Sequence, residues 1–339
     1  MLESDGMQGR VVRYAGCGSV GRSQVRKAMS LSIQSVMHVN VNCSDLEQSL
    51  AFYRDTVGLV PQDHTNPVPQ DGVGFGMTGS VQWDAHILQD ARGYAGPAVD
   101  LLQWMVPKPV GAPGQALSHI GFNRLCVVVP DVDAVYRRVM AAGHRVANDL
   151  RSEVDALARS FVCRDPDGVA IEFREYHCAD DRGDHPLLHH VNVNCSDIGR
   201  SLDWYERVIG LEARPPSLKK TFSADAYGLS AGADLDGRFL WPPQQDAFAI
   251  ELIEWKSPKP IGASAASANQ LGLYRMAFMV ADIQWAYDEI KTQGVECRPP
   301  VFLDMGPEIP IDGVWALFFP DPDGTCMELI ETPTLNVEI

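Results

Sequence analysis

The eight residues HVNVNCSD set the organisation of this chain, because they occur at His38–Asp45 and again, unchanged, at His190–Asp197. The match continues beyond them, since SLAFYRDTVGL (49–59) corresponds to SLDWYERVIGL (201–211) at the same offset. A self-similarity of this length indicates that a whole domain has been duplicated.

Each copy divides again into two similar units. The segment at 36–58 has an alternating strand, then a Ser-Asp helix start, then a helix that ends at glycine. The segments 123–143 and 274–294 have the same plan, and further strand-like runs follow each helix. We therefore predict an α+β fold made of four βαβββ modules. The predicted divisions are an N-terminal extension (1–33), a first domain (34–178) and a second domain (186–334).

Composition and charge narrow the class of protein. The formal net charge of −16 disfavours nucleic acid and anionic membranes as partners, because both repel an acidic surface. No apolar run approaches the roughly 18 residues that a membrane span needs. The eight cysteines include no C-x-x-C pair, which favours buried thiols in a reducing compartment over a disulfide framework. We therefore expect a cytoplasmic protein.

The opening SD…S..FY…GL and the closing DPDG…E of each copy resemble the vicinal oxygen chelate superfamily. The closing pattern stands in CRDPDGVAIEF (163–173) and in FPDPDGTCMEL (319–329). That superfamily includes glyoxalase I, extradiol dioxygenases and bleomycin-binding proteins. The resemblance covers roughly residues 34–334. It implies two tandem domains, each a cup-shaped mixed sheet of two modules that holds a divalent metal ion, and it implies a homodimer.

Alternation along the repeated strand separates a polar face from an apolar face. Alternate side chains of a strand share a face, so His38, Asn40 and Asn42 point one way and the valines between them the other. The second copy repeats the row as His190, Asn192 and Asn194. The same alternation places His189 on the opposite face. We expect the polar rows to line the two cups.

The resemblance implies four ligand positions in each copy. In the first copy they are His38, Asp100, Arg124 and Glu172. In the second copy they are His190, Glu251, Arg275 and Glu328. The arginines depart from the family pattern, because a guanidinium stays protonated and cannot bind a cation. Each cup is therefore left with one histidine and two acids, or with a buried Arg–Glu ion pair that has replaced the metal.

The second copy is the preferred site, since Glu251 reaches further than Asp100. The resemblance implies His190, Glu251 and Glu328 as ligands of a zinc, manganese, nickel, cobalt or iron(II) ion. Glu328 or Glu251 would also act as the base, and Arg275 would steady an enolate. Six further side chains are predicted to contact substrate: Asn40, Asn192, Asn194, Arg124, His86 and Arg238.

Three functions remain open at the level of sequence. The first is a metal-dependent epimerase or isomerase that acts next to the ketone of a polyhydroxylated molecule, similar to the 2-epi-5-epi-valiolone epimerases of secondary metabolism. One histidine and two acids suit this chemistry, and the asparagines suit a hydroxyl-rich substrate. The second is an iron(II) extradiol dioxygenase, which would need a second histidine where arginine stands. The third is a non-catalytic protein that binds a small molecule such as an antibiotic.

Overall fold

A computed structural model describes residues 31–147, 152–155, 158–178, 184–222, 232–243, 245–309 and 311–332. Most of the predicted extension, residues 1–30, lies outside this range. Leu31 and Ile33, at its end, are buried against the core. Within the described residues the chain forms four successive units, named modules 1 to 4 here, each with one strand, one helix and further strands. The predicted α+β class is confirmed.

The elements of the four modules are as follows. Module 1 contains β1 (Ser35–Asn42), α1 (Leu46–Ala51), β2 (Val60–Thr65), β3 (Gln70–Asp71), β4 (Ser80–Gln89) and β5 (Ala98–Val106). Module 2 contains β6 (Gly121–Val128), α2 (Val132–Ala141), β7 (Ser152–Asp155), β8 (Ala158–Arg164) and β9 (Ala170–Tyr176). Module 3 contains β10 (Leu187–Asn194), α3 (Ile198–Trp204), β11 (Glu212–Phe222), β12 (Ala233–Trp241) and β13 (Ala249–Ser257). Module 4 contains β14 (Gly272–Met279), α4 (Ile283–Thr292), β15 (Val301–Asp304), β16 (Gly313–Pro320) and β17 (Cys326–Glu331).

The same local signal starts the helix of every module. An aspartate in extended conformation caps each helix, and its side chain accepts a hydrogen bond from a backbone N–H three residues later. The four caps are Asp45, Asp131, Asp197 and Asp282. In modules 1 and 3 a π-helical turn continues the helix and ends at a left-handed glycine, Gly58 or Gly210. The four helix positions predicted from the repeat are therefore confirmed.

The strand order joins modules across the repeat. One sheet runs β15-β16-β17-β14-β1-β5-β4-β2, with β3 paired to β4, and combines modules 1 and 4. The other runs β11-β12-β13-β10-β6-β9-β8-β7 and combines modules 2 and 3. Sequence order predicted one cup within 34–178 and another within 186–334. The structure corrects this pairing, because β1 pairs antiparallel with β14 and β10 pairs antiparallel with β6. We call the two units the His38 cup (modules 1 and 4) and the His190 cup (modules 2 and 3).

Contacts between β3 and β15 show that the larger sheet curls into a cup. These strands lie at opposite sides of the strand order. Nevertheless, Gln70 Nε2 donates to the carbonyl oxygen of Asp304 at 2.7 Å, and the Asp304 N–H donates to Gln70 Oε1 at 3.2 Å. Apolar side chains fill the rest of the interior, including Trp83, Trp104 and Phe318. The curl therefore brings the first and last modules of the chain around one enclosed space.

Candidate functional site

Four strands meet at the polar floor of the His38 cup. The valines beside His38 on β1 are buried in the core outside the cup, as alternation predicts. Asp100 on β5, Arg275 on β14 and Glu328 on β17 complete the cluster. His38 and Asp100 belong to module 1, and Arg275 and Glu328 belong to module 4. Arg124 and Glu172, which sequence order grouped with His38, lie in the other cup.

In the His38 cup the arginine bridges the two acids. Arg275 donates from Nε to Glu328 Oε2 and from Nη2 to Asp100 Oδ2, both at 2.7 Å. His38 Nε2 lies 3.2 Å from Glu328 Oε2 and 3.9 Å from Asp100 Oδ2. Burial raises the pKa of Glu328, but Arg275 and His38 outweigh it and hold that pKa below its usual range. Two carboxylates and one guanidinium leave this cup with one excess negative charge when His38 is neutral.

The His190 cup repeats the arrangement with residues of modules 2 and 3. Arg124 donates from Nε to Glu172 Oε2 at 2.8 Å and from Nη2 to Glu251 Oε2. His190 Nε2 lies 3.5 Å from Glu251 Oε2. The predicted ligand set of His190, Glu251 and Glu328 is therefore not assembled, because Glu328 belongs to the other cup. Glu172 takes its place.

A second arginine makes the His190 cup neutral. Arg174 donates from Nε and Nη2 to Glu172 Oε1, at 3.2 and 2.9 Å. Burial raises the pKa of Glu172, yet Arg174 and Arg124 hold that pKa well below its usual range. The His38 cup has no counterpart of Arg174, because Ile330 stands at the matching position, two residues after Glu328. Sequence reasoning missed Arg174, although its place two residues after Glu172 on one strand was a sufficient signal.

A β-bulge brings a second histidine to the His190 cup. The pairing of β10 with β6 shifts between Leu188 and His190, so His189 does not take the opposite face that strict alternation predicts. His189 Nδ1 lies 2.7 Å from His190 Nδ1, and its ring also contacts Phe239. Burial, followed by the neighbouring His190, lowers the pKa of His189 well below its usual value. Burial likewise lowers the pKa of His190.

The two cups differ in their access to solvent. His190, Arg124 and Glu172 are 0% exposed. His38 is 6% exposed, and Asp100 and Arg275 are each 5% exposed. Arg174 in the His190 cup is 4% exposed and His189 is half-buried, so both floors reach solvent slightly, while the set of one histidine, one arginine and two acids is more exposed in the His38 cup. The His38 cup also carries one excess negative charge, whereas the His190 cup is neutral.

The side chains of Asn42 and Asn194 hold loops in place through hydrogen bonds. The Asn194 amide donates to the carbonyl oxygens of Leu117 and His119, at 2.8 and 2.7 Å, and its oxygen accepts from Trp255 Nε1 at 3.0 Å. Asn42 makes the equivalent three bonds in the other cup. These contacts tie a loop to the end of each cup. They leave the side chain of Asn194, predicted to contact substrate, already satisfied.

Asn40 and Arg275 have unused hydrogen-bonding atoms in the His38 cup. Asn40 Nδ2 donates to both the carbonyl oxygen and Oδ2 of Asp100 at 3.1 Å, while its Oδ1 is buried with no partner among the described residues. Arg275 Nη1 is likewise buried without a partner there. One free acceptor and one free donor thus remain beside the acids. Asn192 in the other cup also has a buried Oδ1 without a described partner.

His86 and Arg238, predicted to contact substrate, lie away from the cup interiors. On β4 the interior positions are Trp83 and Ala85, so His86 is on the other face, where its ring stacks on His64 at 4.4 Å. On β12 the interior side chain is Phe239, and Arg238 instead pairs with Asp236. The structure does not bring either residue to a polar cluster.

The divalent ion that the resemblance implies needs donor atoms that lie close together. Ligands about 2.0–2.3 Å from one metal lie at most roughly 4.6 Å apart. Among the described residues, the group whose donor atoms all lie within 4.8 Å of one another is Cys126, Glu172 and His190. Neither histidine reaches that spacing together with both acids of its cup, because a guanidinium lies between the carboxylates. As folded, the predicted sets of one histidine and two acids therefore do not fit the ion.

The remaining group, Cys126, Glu172 and His190, is a possible ligand cluster of a different kind. Its donors are close enough for one ion, and it lies in the His190 cup. Glu172 is already held by two arginines, whose charges oppose a further cation. Sequence reasoning missed Cys126, which alternation on β6 places on the same face as Arg124.

No helix in the described part of the chain combines the length and the apolar character required to cross a membrane.

Comparisons with known proteins agree with this architecture. The sequence model of the Glyoxalase/Bleomycin resistance protein/Dioxygenase superfamily matches residues 35–173 and 187–329. The uncharacterized protein YwkD of Bacillus subtilis (strain 168) is 26% identical over 144 residues, which cover 42% of this chain and 95% of that protein.

Two solved structures have a similar fold. Glyoxalase I from Zea mays has a TM-score of 0.61 at 17% identity, covering 88% of this chain and 92% of that one. A putative dioxygenase from Bacillus subtilis has a TM-score of 0.55 at 13% identity, covering 89% and 86%. At these identities the likeness concerns the fold. The two segments matched by the sequence model, which cover most of the chain, show that it belongs to the Glyoxalase/Bleomycin resistance protein/Dioxygenase superfamily.

Proposed function

We propose that the protein is an isomerase of the epimerase type, which moves a proton next to the ketone of a polyhydroxylated small molecule. The substrate would be a cyclitol or a sugar-like ketone, for example 2-epi-5-epi-valiolone. The proposed reaction centre is the His38 cup, with Asp100, Arg275 and Glu328. The cup that sequence reasoning preferred, around His190, is neutral, and its His190, Arg124 and Glu172 are fully buried, which supports a structural role for it.

The pair of unused polar atoms on Asn40 and Arg275 carries the proposal. A buried polar atom without a partner costs roughly 1–3 kcal/mol, so such atoms are retained where a ligand completes them. Arg275 Nη1 calls for an oxygen acceptor, and Asn40 Oδ1 calls for a donor such as a hydroxyl group. A ketone oxygen next to a hydroxyl group supplies both. An apolar aromatic ring supplies neither.

The side chains of this cup suit proton transfer. His38 and Glu328 form a carboxylate–imidazole pair at 3.2 Å, an arrangement that orients an imidazole as a general base. The proton that His38 takes up would be returned from its imidazolium, or from Asp100, 3.9 Å from His38, after transfer to that carboxylate. Arg275 stays charged, because its two carboxylates raise its pKa despite the burial that lowers it. Its free N–H would stabilise the negative charge that develops on the ketone oxygen.

The divalent metal predicted for the cups needs a separate test, because Arg275 holds both acids of the His38 cup. Elemental analysis of protein purified without added metal would measure any bound ion per chain. The geometry leads us to expect less than one tightly bound equivalent in wild type and no loss on His38→Gln. One equivalent that disappears with His38→Gln would show that the guanidinium leaves the acids and that the predicted metal site exists.

Solvent deuterium uptake tests the proposed function. The protein would be incubated in D2O with hydroxylated ketones, and loss of the C–H signal beside the ketone would be followed by proton NMR. We expect exchange with wild type and none above background with Arg275→Gln. Oxygen uptake with a catechol and iron(II) would instead favour a dioxygenase. Saturable binding of a ketone without exchange would favour a binding protein. Homodimerisation and a cytoplasmic location stay predictions.

A further inference from the structure

An open cavity of about 430 Å³ lies at one end of the His38 cup. Small-molecule sites commonly occupy about 300–1,000 Å³, so the volume suits one substrate. The cavity shares with the interior of the cup the side chains of Phe75, Tyr274, Phe318 and Cys326. The Phe318 ring lines the cavity, and the Arg275 Cζ atom of the polar floor lies 6.0 Å from the centre of that ring.

Arg298 lies on the edge of this cavity and has no ion-pair partner among the described residues. The residue is exposed and makes no hydrogen bond with any described residue. Its guanidinium rests against the backbone of module 1 at Gly76, where an added Cβ would lie 2.9 Å from Nη2. The glycine thus leaves room for the guanidinium. A free guanidinium offers the planar pair of donors that binds a phosphate or carboxylate group.

Glu296 is the acid on the same edge. It borders the cavity but forms no ion pair with Arg298 among the described contacts. Arg298 would therefore attract an anionic ligand, and Glu296 would repel it. In a chain with a net charge of −16, an unpaired arginine at the mouth of a cavity offsets the general repulsion of anions locally.

We propose that this cavity binds an anionic substituent of the substrate, a phosphate or a carboxylate group, through Arg298. For the reacting end of the substrate the inference rests on the proposed function, while the anion site itself stands on the cavity and on Arg298. The rings of Phe75 and Phe318 both line the cavity, with their centres 4.8 Å apart, and Phe318 also lies beside Arg275.

Ligands matched except for their charge test the proposal. Calorimetry would measure the affinities of dihydroxyacetone phosphate, hydroxypyruvate and uncharged dihydroxyacetone for the full-length protein. We expect at least one of the two anions to bind wild type at least tenfold more tightly than the neutral ketone, and the preferred anion identifies the group. Arg298→Gln should abolish the preference, and Glu296→Gln should increase it. The affinity for the neutral ketone should change less than twofold in both variants.

Two results would overturn the proposal directly: equal affinities of wild type for all three ligands, or an unchanged preference in Arg298→Gln. Arg54→Gln is the control, since Arg54 is an exposed arginine of the π-helical turn that follows α1. The same loss of preference in Arg54→Gln would also overturn the proposal.

Arg275→Gln separates this inference from the proposed function. It should lose deuterium exchange and keep the preference for the anion. An anion preference without exchange of any ketone would leave the site standing and refute the isomerase. Exchange of a ketone without an anion preference would leave the isomerase standing and refute the anion site.

Discussion

His38 Nε2 lies 3.2 Å from Glu328 Oε2, although 290 residues separate the two in sequence. The contact exists because the first strand of module 1 pairs with the first strand of module 4. The polar floor of each cup is therefore shared between the two copies of the repeat. Among the residues that the structure describes, neither copy alone contains a complete set of one histidine, one arginine and two acids in contact.

A double-mutant cycle should detect this shared floor. The variants His38→Gln and Glu328→Gln remove the two partners singly and together, and urea unfolding measures the free energy of unfolding of each. Contacting residues commonly couple by about 0.5–3 kcal/mol. We expect coupling in that range for His38 with Glu328. The pair His38 and Glu172, which sequence order would place together, should couple by less than about 0.5 kcal/mol. The opposite ranking would refute the pairing of modules.

Loss of Arg124 should destabilise the fold severely. The guanidinium is fully buried and bound to both Glu172 and Glu251. Removing one partner of a buried pair costs roughly 3–5 kcal/mol, because the remaining charge is left uncompensated. We expect Arg124→Gln to lose that much free energy of unfolding in urea. Arg54→Gln, at an exposed pair with Asp55, should change it by less than about 0.5 kcal/mol. A loss below about 1 kcal/mol at Arg124 would mean that the acids are neutral.

Asn194→Ala should reduce stability and leave turnover intact. The substitution removes two bonds to backbone carbonyls and leaves Trp255 Nε1 buried without its acceptor. With roughly 1–3 kcal/mol per unsatisfied group, we expect a loss of about 2–4 kcal/mol in the free energy of unfolding. The rate of deuterium exchange at a temperature where the variant is folded should stay within twofold of wild type. Exchange reduced tenfold in a stable variant would instead make Asn194 a substrate contact.

Stability should fall in mild acid because of two histidines, the fully buried His190 and the half-buried His189. Burial lowers the pKa of His189 and His190 from 6.5, so the unfolded chain takes up protons there that the folded chain does not. The stabilising contribution is present above pH 6.5 and is lost as pH falls towards the lower folded-state values. Each such histidine costs about 1.4 kcal/mol per pH unit within that range.

His189→Met isolates this effect, since Met37 stands at the matching position of module 1. The difference in free energy of unfolding between wild type and variant, measured from pH 7.5 to 5.5, should change by about 1.4 kcal/mol per pH unit below 6.5. A constant difference would show that His189 is protonated or exposed in the folded state.

The sequence predicted the faces of the strands better than their partners. Alternation placed His38 and Asn40 inside a cup and Val39 between them outside, because burial of one face dictates the side-chain period. It did not indicate whether β1 pairs with β6 or with β14. These two strands are equivalent copies, so either pairing satisfies the same apolar pattern. The choice depends on how whole modules pack, and no short motif records that.

Two details of the site depended on structure that the pattern does not encode. The bulge at His189 reverses the direction of one side chain without changing the spacing of the apolar residues. The position of Arg275 between Glu328 and Asp100 depends on a contact between modules 1 and 4. Sequence reasoning identified the arginine as the departure from the family pattern. It could not show which two acids the arginine holds.

Deuterium exchange with the variants His38→Gln and His190→Gln tests the location of the reaction most directly. The two substitutions are chemically identical and lie at matching positions of the repeat. Because general acid–base groups commonly contribute roughly 10²–10⁴-fold, we expect His38→Gln to lose at least a hundredfold in the rate of exchange. His190→Gln should keep the rate of wild type at a temperature where it is folded. A hundredfold loss in His190→Gln with normal exchange in His38→Gln would place the chemistry in the other cup.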